Sequence, residues 1–333
     1  MSRILNVLIL FLLSSTAQAG AVDDLLDKMM AAMKTNNYEG TLVIRQQDKL
    51  QVMHVKHGMD KNGMWESLES LSGEPRQVIR QNNKVTTIFP LRKLITVSSN
   101  QNAFPLHPQL PENRLVLKKL YNLKLVGEDR VAKKDTQILA VIPKDKFRYG
   151  YKYWLDKKTG LLLKCDLLNE QGQVIEQLMF SDLNVLPGAS RTHSLIDQAS
   201  EYKRIDLDQS EGNNNIADQS KAAQTSIQWD AKKLPAGFVL IRAEVKNSSH
   251  GDGLVQHFTY SDGMSSVSVF AERHRPDEMA LKGISQMGAV NAFGLPVKDY
   301  HVTAIGEVPV ATVRMIAESA YFTGQQNSAK NHD

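Results

Sequence analysis

The chain has 333 residues, 42% of them apolar and 23% charged, with a formal net charge of +4. That profile fits a folded, water-soluble protein and excludes a disordered chain, a collagen-like chain or a multi-span membrane protein; so small a charge also argues against wholesale nucleic-acid binding. The single cysteine, Cys165, excludes an internal disulfide, a four-thiolate zinc site and a CxxC redox pair.

Residues 1–19 join Arg3, the apolar run Ile4 to Leu13 and the small-residue site Ala17-Gln18-Ala19, the pattern of a cleaved secretory signal peptide. A run of about ten apolar residues is too short to cross a ~30 Å hydrocarbon core. No cysteine follows the cleavage site, so no lipid anchor is expected, and the mature chain should start at Gly20 as an exported protein, in the periplasm if the source is the bacterium that the resemblance below implies. What remains is long enough for two cores, which predicts two domains.

From Ala21 to Asn36, Val22, Leu25, Leu26, Met29 and Met33 recur at helical spacing, with Asp23 and Asp24 where the helix macrodipole favours anions. Short β-type runs follow: Thr41 to Gln46, Gln51 to Lys56, Met64 to Leu68, Gln77 to Arg80, Val85 to Phe89 and Leu94 to Val97, divided by turn residues as in an antiparallel meander. Punctuation from Phe104 to Pro111 interrupts the series, and Glu112 to Leu120 reads as a short helix. Five more strands are expected at Tyr121 to Val126, Gln137 to Ile142, Tyr149 to Leu155, Leu161 to Leu168 and Val174 to Leu183. The turns Asp156 to Gly160 and Asn169 to Gly172 suit hairpins. About eleven strands imply a large sheet that either buries one face under its own helices or closes partly into a barrel. Both leave a concave apolar surface, open to a lipid chain or filled by side chains.

The predicted first domain spans 20–195. Residues 196–226 are rich in Gln, Ser, Asn and Asp, with six acidic and three basic groups, and read as an extended linker. A second, small α+β domain is expected at 227–322, with strands at Phe238 to Val245, Leu254 to Tyr260, Met264 to Ala271 and Asp299 to Ala304. A final helix runs over Val308 to Phe322, and 323–333 is a tail.

Catalytic signatures are absent. The sequence holds no nucleophile elbow, phosphate loop, dinucleotide fingerprint or HExxH helix, so no enzyme, cofactor or metal is expected. His54 and His57 fall on opposite faces of their strand, and His250, Asp252 and His257 would need a folded-back loop to share an ion. Cys165 is in phase with Leu161, Leu163 and Leu167 and reads as a small core residue.

Charge is concentrated in one stretch. Twelve basic residues against five acidic ones lie between Lys118 and Lys158. Among them Lys118, Lys119, Lys133, Lys134, Lys144, Lys146 and Arg148 are candidates for a positive rim that attracts a phosphorylated lipid or an acidic partner, or else are ordinary solvated side chains.

Four blocks, Tyr149 to Phe180, Trp229 to Phe238, Tyr260 to Ala271 and Ile305 to Ser319, resemble in order the RseB/MucB family of sigma-E regulatory proteins. The resemblance implies a mainly antiparallel α+β protein: a LolA/LolB-like half-open β-barrel with helices over its mouth, plus a small C-terminal α+β domain. It also implies a function. Members bind the periplasmic part of a membrane-anchored anti-sigma factor of the RseA/MucA type and shield it from the site-1 protease. Lipopolysaccharide or mislocalised lipoprotein acyl chains favour release. Trp229, Phe238 and Tyr260 lie in the matching blocks and are candidate partner anchors, or core residues. The competing expectation is a periplasmic lipid or lipoprotein carrier, which would leave the second domain without a purpose. Self-association stays open.

Overall fold

The structure, a computed structural model, describes residues 20–60, 63–99, 110–111, 113–188, 201–207, 228–248, 253–274 and 280–323. The predicted leader, most of the linker, His250, Asp252 and the tail lie outside those residues. Two compact units emerge. The described residues of the first fall in 20–99, 121–142 and 150–207; those of the second fall in 110–120, 143–149 and 228–323.

The first unit opens with helix α1 over residues 20–35, which buries Val22, Leu26, Met29 and Ala32. That spacing keeps one face apolar and leaves Asp24 and Asp27 on the other. Six antiparallel strands follow: β1 (Asn37–Gln46), β2 (Lys49–Asp60), β3 (Gly63–Ser70), β4 (Gln77–Gln81), β5 (Lys84–Phe89) and β6 (Leu94–Ser99). Helix α2 (Arg114–Leu120) belongs to the second unit. Then come β7 (Tyr121–Val131), β8 (Lys134–Pro143), β9 (Gly150–Asp156), β10 (Leu162–Leu168) and β11 (Val174–Leu186).

All eleven expected strands are present. The two meanders merge into one sheet because β11 pairs with β1, and the full order is β12-β6-β5-β4-β3-β2-β1-β11-β10-β9-β8-β7. Its end strands are not hydrogen-bonded to each other, so it is not a closed barrel. The seam between β1 and β11 depends on Gly40: a Cβ there would lie 2.3 Å from the Asp182 carbonyl oxygen, beside a bulge at Thr41 and Leu42. The last member, β12 (Lys203–Asp206), pairs parallel with β6 and comes from the stretch read as linker.

Strands β8, β9 and β10 form the most enclosed part of the sheet, buried on both faces over much of their length. Tyr151, Tyr153 and Leu155 of β9, Leu139 and Val141 of β8, and Leu163, Cys165 and Leu167 of β10 are all buried, and the rings of Tyr151 and Tyr153 stack at 5.8 Å. The hairpin turns use the predicted chemistry: Asp156 Oδ2 accepts from Thr159 Oγ1 at 2.6 Å, and Asn169 Oδ1 accepts from the amides of Gln171 and Gln173.

The second unit carries β13 (Trp229–Ala231), β14 (Val239–Asn247), β15 (Leu254–Ser261), β16 (Ser266–Arg273), β17 (Gly283–Met287), β18 (Val290–Val297) and β19 (Tyr300–Gly306). Helix α3 (Val310–Ser319) and β20 (Ala320–Phe322) complete it. Six strands form one antiparallel sheet in the order β14-β15-β16-β19-β18-β17, and β13 pairs with β20. Helix α3 buries Val313, Ile316 and Ala317 in the core formed with Val267, Val269, Val302 and Ala304. Strands β13, β17 and β18 add to the four expected here, and the expected final helix stops at Ser319, after which β20 begins. Among the described residues no helix is long and apolar enough to cross a membrane.

Candidate functional site

The basic segment resolves into three environments. Lys133 and Lys134 sit at the β7–β8 turn of the first unit, where Ala132 and Lys133 take positive φ. Lys118, Lys119, Lys144 and Lys146 belong to the second unit and are exposed. Two bonds hold Lys144 against the end of α2: the Lys144 amide donates to the Leu120 carbonyl at 3.0 Å, and Lys144 Nζ donates to the Lys118 carbonyl at 2.6 Å. Leu115, 80% exposed, lies on the same short helix. The second unit therefore exposes these four lysines, two of them on the same short helix as an exposed apolar side chain.

Arg148 is a correction. It was expected on the positive rim, but its side chain is wholly buried in the second unit. Arg148 Nη1 donates to Asp262 Oδ2 at 2.6 Å, Nε and Nη2 donate to Asp145 at 3.0 and 3.1 Å, and Nη2 also donates to the Ala236 carbonyl at 2.6 Å. Its guanidinium lies 5.7 Å from the centre of the Phe238 ring. Asp262 is equally enclosed, and its other oxygen accepts from the amides of Met264 and Ser265. A buried charge needs such partners, so the arginine is a clamp and is not available to a ligand.

The clamp has neighbours that do similar work. Thr312 Oγ1 donates to the Phe147 carbonyl at 2.6 Å, Tyr149 Oη donates to the Ala289 carbonyl at 3.1 Å, and Asn291 Nδ2 donates to Tyr149 Oη at 2.9 Å. Gly237, at φ +86°, leaves no room for a Cβ, which would stand 2.8 Å from Leu120 Cδ1. Leu117, Leu120, Arg148 and Tyr149 thus anchor these two stretches, 110–120 and 143–149, in a unit whose other parts begin far downstream.

Trp229, Phe238 and Tyr260, the candidate partner anchors, are also placed inside. All three are buried members of the second core. Trp229 packs edge-on to Tyr300 at 5.3 Å and to Phe322 at 5.8 Å, and Tyr260 Oη donates to Asp230 Oδ1 at 3.1 Å. Burial, reinforced by the Asp230 carboxylate, pushes the Tyr260 phenol up from its ordinary value. Aromatics used in this way hold a domain together and do not face a partner.

What the surface of this unit does expose is β14. Val239, Leu240 and Ile241 are 58%, 48% and 55% exposed, three consecutive apolar residues on an end strand. Next along, Glu244 takes Arg242 at 2.7 Å, Lys246 at 3.0 Å and His257 at 2.9 Å. Partial burial pushes the Glu244 carboxyl up, but the bonds from His257 and Lys246 and the nearby cations outweigh it and hold it below the usual range. His257 also stacks on Phe270 at 4.4 Å and is shared with Ser268, so it is committed within the sheet.

In the first unit two buried titratable groups have identifiable partners. Glu66 takes Arg80 Nη1 at 2.9 Å; burial raises the Glu66 carboxyl even though Arg80 pulls it back. His57 stacks on Tyr38 at 4.8 Å, and burial lowers its imidazole despite a contact with the Asn36 carbonyl. Cys165 is buried. Among the described residues no group of three or more His, Cys, Asp or Glu could hold a metal ion.

These features define a two-unit, mainly antiparallel β protein: one wide sheet that does not close, and a smaller sheet unit offering lysines and an apolar strand edge. The MucB/RseB N-terminal domain matches residues 21–209 and the MucB/RseB C-terminal domain matches residues 223–321, so the chain belongs to the MucB/RseB family. It is 31% identical over 309 residues to the sigma factor AlgU regulatory protein MucB of Pseudomonas aeruginosa, covering 91% of each chain. It is 24% identical over 318 residues to the sigma-E factor regulatory protein RseB of Escherichia coli K12, covering 94% of this chain and 93% of that one. Among solved structures it is similar to MucB in complex with MucA(peri), with a TM-score of 0.69 at 28% identity, over 91% of this chain and all of that one.

Proposed function

We propose that this protein is a periplasmic negative regulator of a sigma-E-type envelope stress response. It binds the periplasmic domain of a membrane-anchored anti-sigma factor and withholds it from the site-1 protease. One observation carries the reading: both halves of the chain match, in order and nearly end to end, a regulator whose structure was solved with the periplasmic part of MucA. The leader-like residues 1–19 support export to the periplasm. The protein acts by occupancy and not by turnover, since a segment held against it is not free to enter a protease cleft.

Release follows if a second ligand binds the free regulator better than the partner-bound one, because only differential affinity shifts such a balance. Lipopolysaccharide or mislocalised lipoprotein is the proposed signal. Lys118, Lys119, Lys144 and Lys146 are the groups that would meet its phosphates, with Lys133 and Lys134 as a second, separate pair. The test incubates the protein with the anti-sigma factor's periplasmic domain and the site-1 protease, with and without lipopolysaccharide. Protection that lipopolysaccharide relieves is expected; cleavage indifferent to the protein removes the reading.

A further inference from the structure

Strand β14 ends the six-stranded sheet, and no described strand lies on its outer side. One row of its backbone N–H and C=O groups therefore points away from β15, which is a template for another extended chain. Its side chains suit a particular visitor. Val239, Leu240 and Ile241 give an apolar stretch, and a register shift between Leu240 and Arg242 sets Ile241 apart from the pairing with β15. Arg242 and Lys246 then stand four residues apart, and the one carboxylate between them, Glu244, is saturated by these two cations and His257. The edge is net positive. A second copy of the same edge would bring like charges together, whereas a segment carrying carboxylates would be drawn in. The opposite end strand, β17, carries no charged residue and separates its exposed Ile284 and Met287 by Ser285 and Gln286.

We propose that β14 binds an extended segment of the anti-sigma factor's periplasmic domain by strand addition. The segment places two carboxylates about four residues apart opposite Arg242 and Lys246 and apolar side chains against Val239 to Ile241. This rests on the functional reading above and gives it a mechanism. A protease takes its substrate as an extended strand, and strand addition consumes the same backbone hydrogen bonds, so the bound segment cannot serve both.

The test uses the full mature protein and the fluorescently labelled periplasmic domain of its own organism's anti-sigma factor, with affinity read by anisotropy. The double variant R242Q/K246Q, which removes the two cations without adding carboxylates, is expected to lose at least tenfold in affinity and to show a shallower salt dependence. The charge-neutral L240N/I241N is expected to lose at least tenfold with little change in salt dependence. Hydrogen exchange on the unmodified protein provides a reading that needs no variant: amides of 239–247 should slow at least tenfold in the complex. Failure of the unmodified protein to bind removes the functional reading, and this inference with it. Binding by the unmodified protein, with both folded variants equally tight or the β14 amides unprotected, removes the inference alone. So does a change in self-association without a change in capture.

Discussion

Replacing Arg148 by Met keeps most of the side-chain volume and removes only the charge and its donors. The structure sets the cost. Asp262 would keep its two backbone donors but lose its counter-charge while fully buried, and the Ala236 carbonyl would lose a 2.6 Å bond. Asp145 is 27% exposed and can return to water. Removing one member of a buried, hydrogen-bonded ion pair costs about 3–5 kcal/mol, most of it from the charge left behind. If that is the cause, R148M/D262N should recover at least about 1.5 kcal/mol of the loss, because the orphaned charge is gone. The assay is native-state hydrogen exchange on the slowest amides of α3, which reports opening of the second unit itself. A single variant costing under about 1 kcal/mol, or a double variant no better than the single one, would refute the clamp.

Tyr149→Phe removes a buried hydroxyl that bridges Asn291 and the Ala289 carbonyl, and should destabilise the second unit by about 1–2 kcal/mol in the same exchange assay. Gly40→Ala forces a methyl against the Asp182 carbonyl at the β1–β11 seam and should cost about 1–3 kcal/mol in urea unfolding of the first unit. Burial lowers the folded-state pKa of His57 below the ordinary imidazole value of about 6.5, so its contribution is intact above that pH. It declines below that, as the unfolded chain takes up a proton that the folded one resists, with a slope of at most about 1.4 kcal/mol per pH unit. His57→Phe, which keeps an aromatic ring on Tyr38, should flatten the loss of thermal stability between pH 7 and pH 5.

The large sheet was legible because its strands are marked locally: alternation in β9 and β10, and Asp156 and Asn169 at the turns. The α1 face was read nearly right, with Ala32 taking the buried place expected for Met33. Strand β18 was hidden because Gly294 and Pro296 break its alternation, β17 because its five residues GISQM hold only two separated apolar side chains, and β12 because its parallel pairing with β6 has no local signature. The site was less legible. Residue type alone puts an arginine in a basic run at the surface, yet Arg148 finds Asp262 114 positions away, a pairing no local pattern announces. Conversely, large aromatics in matching blocks suggested a partner surface, but Trp229, Phe238 and Tyr260 fill a core too small to do without them. The exposed run Val239 to Ile241 had a signal of its own, three apolar residues in succession at a strand start, which alternation would not require.

The order of synthesis meets the clamp from another side. Phe147 and Arg148 leave the ribosome, and in an exported protein enter the next compartment, more than a hundred residues ahead of Asp262 and Thr312, which complete their hydrogen bonds. The first sheet can zip up behind α1 while these two stretches are still waiting. The smaller unit cannot finish until almost the whole polypeptide has arrived, so a chain stalled or clipped short would carry a bare guanidinium and an open apolar core, a form suited to removal by quality-control proteases.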